Sequence, residues 1–302
     1  MAGLSRGRPV VLVTGLAGFT GPHLTAALEA DGWRVVGLDR QFSWMGDIEI
    51  RACNLLDREE LSRQISMLDP KSVINLAGIS SLTHANIGEL YETNIIGVRN
   101  LLDALVPLGE RLQSVVLASS ATIYGNTSGH PLDEKTEPAP ANDYAVSKLA
   151  MEYLAKTYAG KLPIILTRPF NYTGKGQTTG FVVPKIVEHF KRRAPFIELG
   201  NIDVIREFSD VRRVASAYSR ILTLPGTGEI YNICSGVGVS LREIIAEAEH
   251  LTGHHLAIQV NPALIRENEV DILIGSCARL EAAVGSLPKY TMKETLSWML
   301  EG

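Results

Sequence analysis

The chain has 302 residues, 45% of them apolar, enough to bury a full core as one large α/β unit or as a large and a small domain. Its formal charge of −4 argues against a general affinity for nucleic acid and does not suggest membrane binding, so a phosphate-bearing ligand would need a local cluster of donors. The three cysteines, Cys53, Cys234 and Cys277, are widely spaced with no C-x-x-C, which suggests neither a disulfide framework nor a zinc site or other metal and fits a reducing cytoplasm. No stretch of about 18 uninterrupted apolar residues is present to span a bilayer. Arg6 and Arg8 ahead of an apolar run imitate a signal peptide, but the same run carries a glycine turn and continues into alternating strands and helices, so it is read as part of the fold.

That run, from Val10 to Thr14, reads as a buried strand ending in glycines at G-x-x-G-x-x-G spacing: Gly15, Gly18 and Gly21. Gly15 permits a sharp turn, and Gly18 lets a pyrophosphate approach bare backbone. Gly21 lets the next helix pack close to the strand with its N-terminus toward the phosphates. A helix is expected over 22–31, stopped by Gly32, and a second strand over 34–38 ends in Asp39. A third strand precedes Asn54. Asp57, with Glu60 three residues on, opens a helix over 58–68. A strand over 71–76, a long helix over 87–105 and a strand over 114–118 follow, then a helix over 144–158 and a strand over 163–167. Strands alternating with helices imply an α/β fold with a doubly wound parallel sheet and right-handed crossovers. Beyond about residue 169 the rhythm breaks into longer loops and shorter strands, with capping boxes at Ser240–Glu243 and Thr291–Glu294. This last third is expected to pack against the sheet as a lid.

The glycine turn is answered by Tyr144-Ala-Val-Ser-Lys148, a phenol and an ammonium at i and i+4 on one helix face. A lone glycine pattern is weak evidence; the two together point to a nicotinamide enzyme. A lysine ammonium about 5 Å from the phenol would contribute on the order of 3 kcal/mol at an effective dielectric of 20, lowering the tyrosine pKa by roughly two units. Tyr144 could then exchange a proton with a sugar hydroxyl or ketone. Ser119 and Ser120 close the fifth strand on the carboxyl edge, where a serine hydroxyl can orient the same oxygen. Asp39 lies where a carboxylate accepts from the adenosine ribose, which leans the cofactor toward NADH. Arg40 beside it could instead clamp the 2′-phosphate of NADPH. Asn54-Leu55 is placed to contact adenine, and the small residues of Asn75-Leu76-Ala77-Gly78 let backbone lie close to a dinucleotide.

At this point the chain resembles, nearly end to end, the extended short-chain dehydrogenase/reductase family of nucleotide-sugar enzymes. The matching pieces are Thr14-Gly-x-x-Gly-x-x-Gly21, Asn75-Leu-Ala-Gly78, Asn94-Ile-Ile-Gly97, Ser119-Ser-Ala-Thr-Ile-Tyr-Gly125, Tyr144-x-x-x-Lys148 and Arg168-Pro-Phe-Asn171. The resemblance implies a Rossmann-type NAD(P)-binding domain over 1–168, with later segments returning to it, and a smaller domain over 169–302 that mainly binds the nucleotide sugar. It implies Ser120, Tyr144 and Lys148 as the catalytic triad. It implies Gly15, Gly18, Phe19, Thr20, Asp39, Arg40, Asn54, Leu55, Leu76, Ala77, Gly78, Asn94, Tyr144 and Lys148 around the cofactor, with Lys148 on the nicotinamide ribose.

The stretches Arg168–Gln177, Phe181–Pro184, Gly200-Asn201, Arg206–Asp210, Tyr231–Gly236 and Arg266-Glu-Asn-Glu269 look like those of the GDP-4-keto-6-deoxy-D-mannose reductases, which make GDP-D-rhamnose. This closer likeness implies substrate contacts from Ser120, Asn171, Gln177, Val182, Lys185, Asn201, Arg206, Arg266 and Glu269. Asn171 would be a diphosphate donor, and the two arginines are guanidinium forks that match phosphate oxygens. Two positions depart from the pattern. Lys175 stands where a proline is usual, and Arg213 stands where an aspartate is usual, on what is expected to be a surface helix. Sugar-nucleotide dehydratases place an acidic pair after the catalytic hydroxyl, and GDP-fucose synthases need a cysteine there; Ala121 and Thr122 fit neither. A UDP-sugar 4-epimerase shares Ser-Ala-Thr-x-Tyr-Gly and is the runner-up. A dTDP-4-keto-6-deoxysugar reductase and a dinucleotide-sensing scaffold without chemistry stand behind it. In relatives the helices over 87–105 and 144–158 pair with their copies, so a homodimer is expected, with Leu101, Leu102, Leu105, Leu149 and Leu154 as apolar positions that otherwise face the sheet.

Overall fold

The first strand of the chain, β1 (Val10–Thr14), is buried at its last four residues, as a strand covered on both faces requires. The structure, a computed structural model, describes residues 7–80, 86–127, 131–226, 228–265 and 271–301. After the glycine turn comes α1 (Thr20–Ala30), which ends where Gly32 takes a φ of +87°, and then β2 (Arg34–Asp39). Between Asp39 and Asn54 lies a hairpin, β3 (Ser43–Met45) and β4 (Ile48–Ala52), rather than a lone strand. The N-cap of α2 (Arg58–Leu68) is Asp57, whose side chain accepts from the Glu60 N–H. Buried β5 (Ser72–Asn75) follows.

The long helix expected over 87–105 is interrupted. It runs as α3 (Ile87–Tyr91), a π-helical segment over Glu92–Gly97, and α4 (Val98–Leu105). A π segment turns side chains away from the register of a regular α-helix. Asn94 lies inside it and binds the Ile79 backbone and Ser147, tying the helix to the loop after β5 and to the next long helix. Then come β6 (Ser114–Ala118), α5 (Asp143–Lys156), capped by Asn142, and β7 (Ile164–Pro169).

Shorter elements complete the chain: β8 (Tyr172–Thr173), α6 (Val182–Lys191), β9 (Phe196–Leu199), β10 (Ile205–Glu207), β11 (Ser209–Asp210), α7 (Val211–Ile221), β12 (Ile230–Ile233), β13 (Gly238–Ser240), α8 (Leu241–Thr252), β14 (Ala257–Val260), β15 (Ile272–Leu273), α9 (Ala278–Val284) and α10 (Met292–Leu300). Both capping boxes form, at Ser240–Glu243 and at Thr291–Glu294.

The large sheet has the order β12-β7-β6-β5-β1-β2-β4-β3, and every neighbouring pair except β4/β3 is parallel. The chain builds outward from β1 in one direction and then restarts beside it with β5, so the order reverses between these two strands. In sheets of this kind such a reversal is where a ligand crevice lies, outside the carboxyl ends of the strands. Alternation along the strands sorts the core into two layers. Leu12, Val73, Val115 and Leu117 face α2, α4 and α5, while Val11, Val13, Ile74 and Val116 face α1, α7 and α9.

Packing corrects three expectations. The last third is not a lid as a whole: α7, β12 and α9 belong to the sheet and its layers, whereas α6, α8, α10 and β9 enclose a separate apolar cluster. Leu101, Leu102 and Leu105 are fully buried against the sheet, and Leu149 and Leu154 are half-buried against core clusters, so none of the five forms an exposed face. Arg213 is not on the surface either. It is 3% exposed, with donors on the carbonyls of Cys234, Leu287 and Pro288 and on the Glu281 carboxylate.

Candidate active site

The crevice is built by close backbone approach. Gly15 turns with φ +72°, donates to the Leu38 carbonyl, and lies so near the Leu76–Ala77 backbone that a Cβ would stand 2.7 Å from the Ala77 nitrogen. At Gly21 a Cβ would come within 1.7 Å of the Leu16 carbonyl oxygen, so only glycine lets α1 start this close to β1. Gly18 and Ala17 between them are exposed. Thr14 and Asn75, at the ends of β1 and β5, share a hydrogen bond of 2.5 Å across the switch point.

Asp39 reaches back to this turn: Oδ2 accepts from the Ala17 N–H at 3.1 Å, and Oδ1 from the Arg40 N–H at 2.7 Å. The Arg40 side chain is 74% exposed and turned to Glu89 at 3.4 Å. Asn54 is exposed, but Leu55 is buried in the core, with its carbonyl held by Asn100. Leu76 and Ala77 are half-buried and pack on opposite core layers. Gly78 is exposed, and a Cβ there would stand 2.9 Å from Asn94 Oδ1 and 3.2 Å from Lys148 Nζ. The amide of Asn94 is engaged on Ile79 and Ser147, which is the geometry of a positioning residue.

The fold brings Ser120, Tyr144 and Lys148 together at the ends of β6 and α5. The Ser120 hydroxyl is hydrogen-bonded to the Tyr144 phenol and accepts from Thr122, at 3.2 Å from its N–H and 2.9 Å from its hydroxyl. Lys148 Nζ donates to the Ala118 carbonyl at 2.9 Å and stands 5.9 Å from the Tyr144 ring centre. The electrostatics correct the expected direction for the phenol. Burial pushes Tyr144 up to about 12, against the lowering effect of the Ser120 hydrogen bond. Burial likewise pushes the Lys148 ammonium down to about 8, opposed by Glu152. The ammonium is committed to a carbonyl, and desolvation outweighs its attraction for the phenolate. At neutral pH this arrangement presents a protonated phenol, which is a proton donor.

Tyr172 is the site residue that sequence reasoning misses, although it sits inside the stretch Arg168–Gln177. Its ring stacks on Phe19 at 5.9 Å and its hydroxyl meets the Thr20 hydroxyl at 2.9 Å, so it closes over the start of α1. It also adds to the upward pressure on the Tyr144 pKa. Behind Lys148, Glu152 and Arg168 form a bidentate buried pair at 2.7 and 2.9 Å, extended through Tyr124 to Asn232.

The remaining substrate-side positions are held by their own chain. Gln177 accepts from Thr173 and donates to the Tyr172 carbonyl, Lys185 Nζ donates to the Glu198 carbonyl at 2.7 Å, and Asn201 accepts from the Asp203 N–H. Val182 opens α6 and packs on the apolar cluster of that region. Asn171 is half-buried, with its carbonyl accepting from the Ser209 N–H, and Arg206 lies on β10, with one guanidinium nitrogen on the Ile205 carbonyl. Arg266 and Glu269 lie outside the described residues. Next to Arg206, the buried Glu207 carboxylate gathers the N–H groups of Ser235, Gly236 and Gly275 and the Ser209 hydroxyl, a clamp with no forewarning in the sequence.

The chain fits a dinucleotide on the strength of its own backbone: the glycine turn, and Gly78, where a Cβ would crowd Asn94 and Lys148. At the ends of β6 and β5, the buried Ser119 Oγ and Asn75 Nδ2 have no hydrogen-bond partner among the described residues. Among the described residues no helix is long and apolar enough to cross a membrane, and no three His, Cys, Asp or Glu side chains gather as a metal site.

Comparison with known proteins agrees with this geometry. The model of the NAD dependent epimerase/dehydratase family matches residues 11–234. A GDP-6-deoxy-D-mannose reductase of Pseudomonas aeruginosa is 34% identical, with 96% of this chain and 95% of that one covered. A GDP-6-deoxy-D-talose 4-dehydrogenase of Aggregatibacter actinomycetemcomitans is 30% identical, with 93% of each covered. Among solved structures, one from Burkholderia cenocepacia J2315 whose epimerase label is provisional superposes with a TM-score of 0.91 at 44% identity, covering 98% of each chain. RMD from Pseudomonas aeruginosa, complexed with NADPH, superposes with a TM-score of 0.85 at 33% identity, covering 97% of each.

Proposed function

The chain belongs to the NAD-dependent epimerase/dehydratase family, the extended short-chain dehydrogenases/reductases, and on that premise we propose that it is an NAD(P)H-dependent nucleotide-sugar 4-ketoreductase. Its substrate is a GDP-4-keto-6-deoxyhexose, GDP-4-dehydro-6-deoxy-D-mannose, reduced at C4 to a GDP-6-deoxyhexose such as GDP-D-rhamnose. The observation that carries the reading is the Tyr144 phenol, bonded to Ser120 and kept protonated up to about 12. A ketone being reduced needs a proton donor at its oxygen, and a phenol in that state is one.

Gly15, Gly18, the start of α1 and Gly78 would hold the dinucleotide, with Asp39 on the adenosine ribose. The bound cofactor supplies the hydride. Ser120 fixes the ketone oxygen, with its own lone pairs set by Thr122. Tyr144 gives its proton to that oxygen as negative charge develops there. Lys148, anchored on the Ala118 carbonyl, places a positive charge beside the phenol as it becomes phenolate. Asn171, Arg206 and Arg266 are assigned to the diphosphate, and the two similar GDP-sugar enzymes support the choice of base.

Purified protein incubated with GDP-4-keto-6-deoxymannose and NADH or NADPH should oxidise the cofactor and yield a GDP-6-deoxyhexose. No cofactor oxidation with this substrate, with turnover of dTDP or UDP analogues instead, sinks the assignment. The second reading, a nucleotide-sugar 4-epimerase, is favoured by the provisional label of the structure at 44% identity. Protein that purifies with a full complement of tightly held NAD and needs none added would establish it.

The assembly we propose is a cytoplasmic homodimer through the exposed side of the π segment and α5, where Ile96, Val146 and Tyr153 are solvent-exposed. Light scattering at micromolar concentration should give a dimer mass; a monomer mass rules it out.

A further inference from the structure

Two of the three cysteines that the sequence keeps far apart meet in the fold. Cys234 follows β12 and is fully buried; Cys277 precedes α9 and is half-buried. Both are free thiols, and each is the hydrogen-bond partner of the other, in the small cluster that also holds Phe170 and Leu273. Arg213 completes the group. One guanidinium nitrogen donates to Cys277 Sγ at 3.2 Å, and Nε donates to the Cys234 carbonyl at 2.9 Å. A guanidinium aimed at a sulfur favours the thiolate, the form that attacks electrophiles. The Cys277 thiol is held down at about 7, first by the Cys234 hydrogen bond and then by Arg213 against the opposing effect of burial, while Cys234 is pushed up. None of the three residues has a part in the reduction proposed above.

We propose that Cys277 and Cys234 form a peroxide-reactive dithiol, with Cys277 the attacking sulfur and Cys234 the resolving one. The Cys277 thiolate attacks one oxygen of hydrogen peroxide, the O–O bond breaks, and the sulfur keeps an OH as sulfenic acid. The departing hydroxide takes up a proton and leaves as water. Cys234 then attacks the sulfenyl sulfur, the S–O bond breaks, and the OH leaves as a second water with the Cys234 proton. Two thiols are oxidised and one peroxide is reduced. The new bond joins the end of β12 to the start of α9. Both segments carry the peptide N–H groups that clamp Glu207: Ser235 and Gly236 follow Cys234, and Gly275 lies just before Cys277. The oxidised form therefore locks the seat of Glu207 beside Arg206.

The test treats reduced, full-length protein with hydrogen peroxide and reads intact mass and peptide maps. The expected result is a loss of about 2 Da reversed by dithiothreitol, with Cys234 and Cys277 in one cross-linked peptide pair and Cys53 still open to alkylation after denaturation. C234S should stop at a dimedone-reactive sulfenic acid on Cys277. C277S should form no internal link and consume peroxide at about a tenth of the wild-type rate or less. Added oxygen on Cys277 of the wild type without a cross-link, or equal peroxide consumption by C277S and wild type, overturns the proposal. Neither readout uses a nucleotide sugar, so the outcome of the reductase assay does not bear on it.

Discussion

The carboxyl edge of the large sheet and the segments after β7 put their polar side chains to opposite uses. At the edge, Asp39, Ser119, Ser120 and Lys148 are delivered by strand ends and one helix to a single crevice. Some polar atoms there, Ser119 Oγ and Asn75 Nδ2, have no hydrogen-bond partner among the described residues. After β7, the side chains of Gln177, Lys185 and Asn201 bond to their own chain, and Glu207 and Arg213 are turned wholly inward. A strand end in a covered parallel sheet is a site by topology, whereas a residue in a short mixed sheet acquires its surroundings only from distant packing. Replacements at the edge should therefore change chemistry, and replacements of the inward-turned residues beyond β7, Glu207 and Arg213, should change stability first.

Tyr144→Phe should show the largest effect, a fall in kcat of about 10²–10⁴-fold with unfolding in urea unchanged. An equal loss of stability, or a loss of less than about tenfold in kcat, breaks the distinction at its strongest point. Glu207→Gln is the counterpart beyond β7. An amide cannot accept from three N–H groups without turning its own donors on one of them. Urea unfolding should therefore register a loss of about 1–3 kcal/mol, while kcat of the folded fraction stays near wild type. A fall in kcat without a stability change would place Glu207 with the edge residues.

Asp39→Ala sharpens the comparison at the cofactor end. The wild type should prefer NADH and use NADPH measurably. The variant should move the ratio of their specificity constants toward NADPH by about one to two decades, or about 1.4–2.8 kcal/mol. If the wild type prefers NADPH and Arg40→Ala abolishes that preference, Arg40 is the selector.

The effect that builds most gradually is in pH. Reduction needs a charged Lys148, which loses its proton through about 8, and a protonated Tyr144, which keeps its proton to about 12. The rate should therefore fall as pH rises above about 8, by about tenfold per unit, with no second limb from Tyr144 below pH 10. Stability responds with the opposite sign. The folded state holds the Lys148 proton less tightly than the unfolded chain, so between about 8 and 10.5 the unfolded chain binds more protons. The contribution of this group to stability then rises with pH in that window. Lys148→Met should abolish the rise in urea stability; a rise that persists assigns it to another group.

Much of the edge was legible in advance because each signal there is local. Glycine spacing sets a turn, Asp57 caps a helix, and Tyr144 and Lys148 share a face at i and i+4. The phenol's pKa was not legible. Coulomb attraction could be counted from spacing, but the burial that outweighs it arises only on packing, and Tyr172, far along the chain, adds a coulombic push in the same direction. The π segment at Glu92–Gly97 escaped for a similar reason, since apolar periodicity over 87–105 suits an unbroken helix and only the ties of Asn94 to Ile79 and Ser147 reveal the wider turn.

By itself the sequence determined the alternation of strands and helices, the turn-forming glycines and the placing of the Tyr144 phenol and Lys148 ammonium on one helix face, because turn geometry, capping and helix periodicity act over a few residues. Tertiary structure alone decided which apolar helix positions face the sheet, that Arg213 is buried, that Glu207 is a clamp and that Cys234 meets Cys277. Each of these depends on segments separated by tens of residues, and burial and desolvation exist only once those segments have packed.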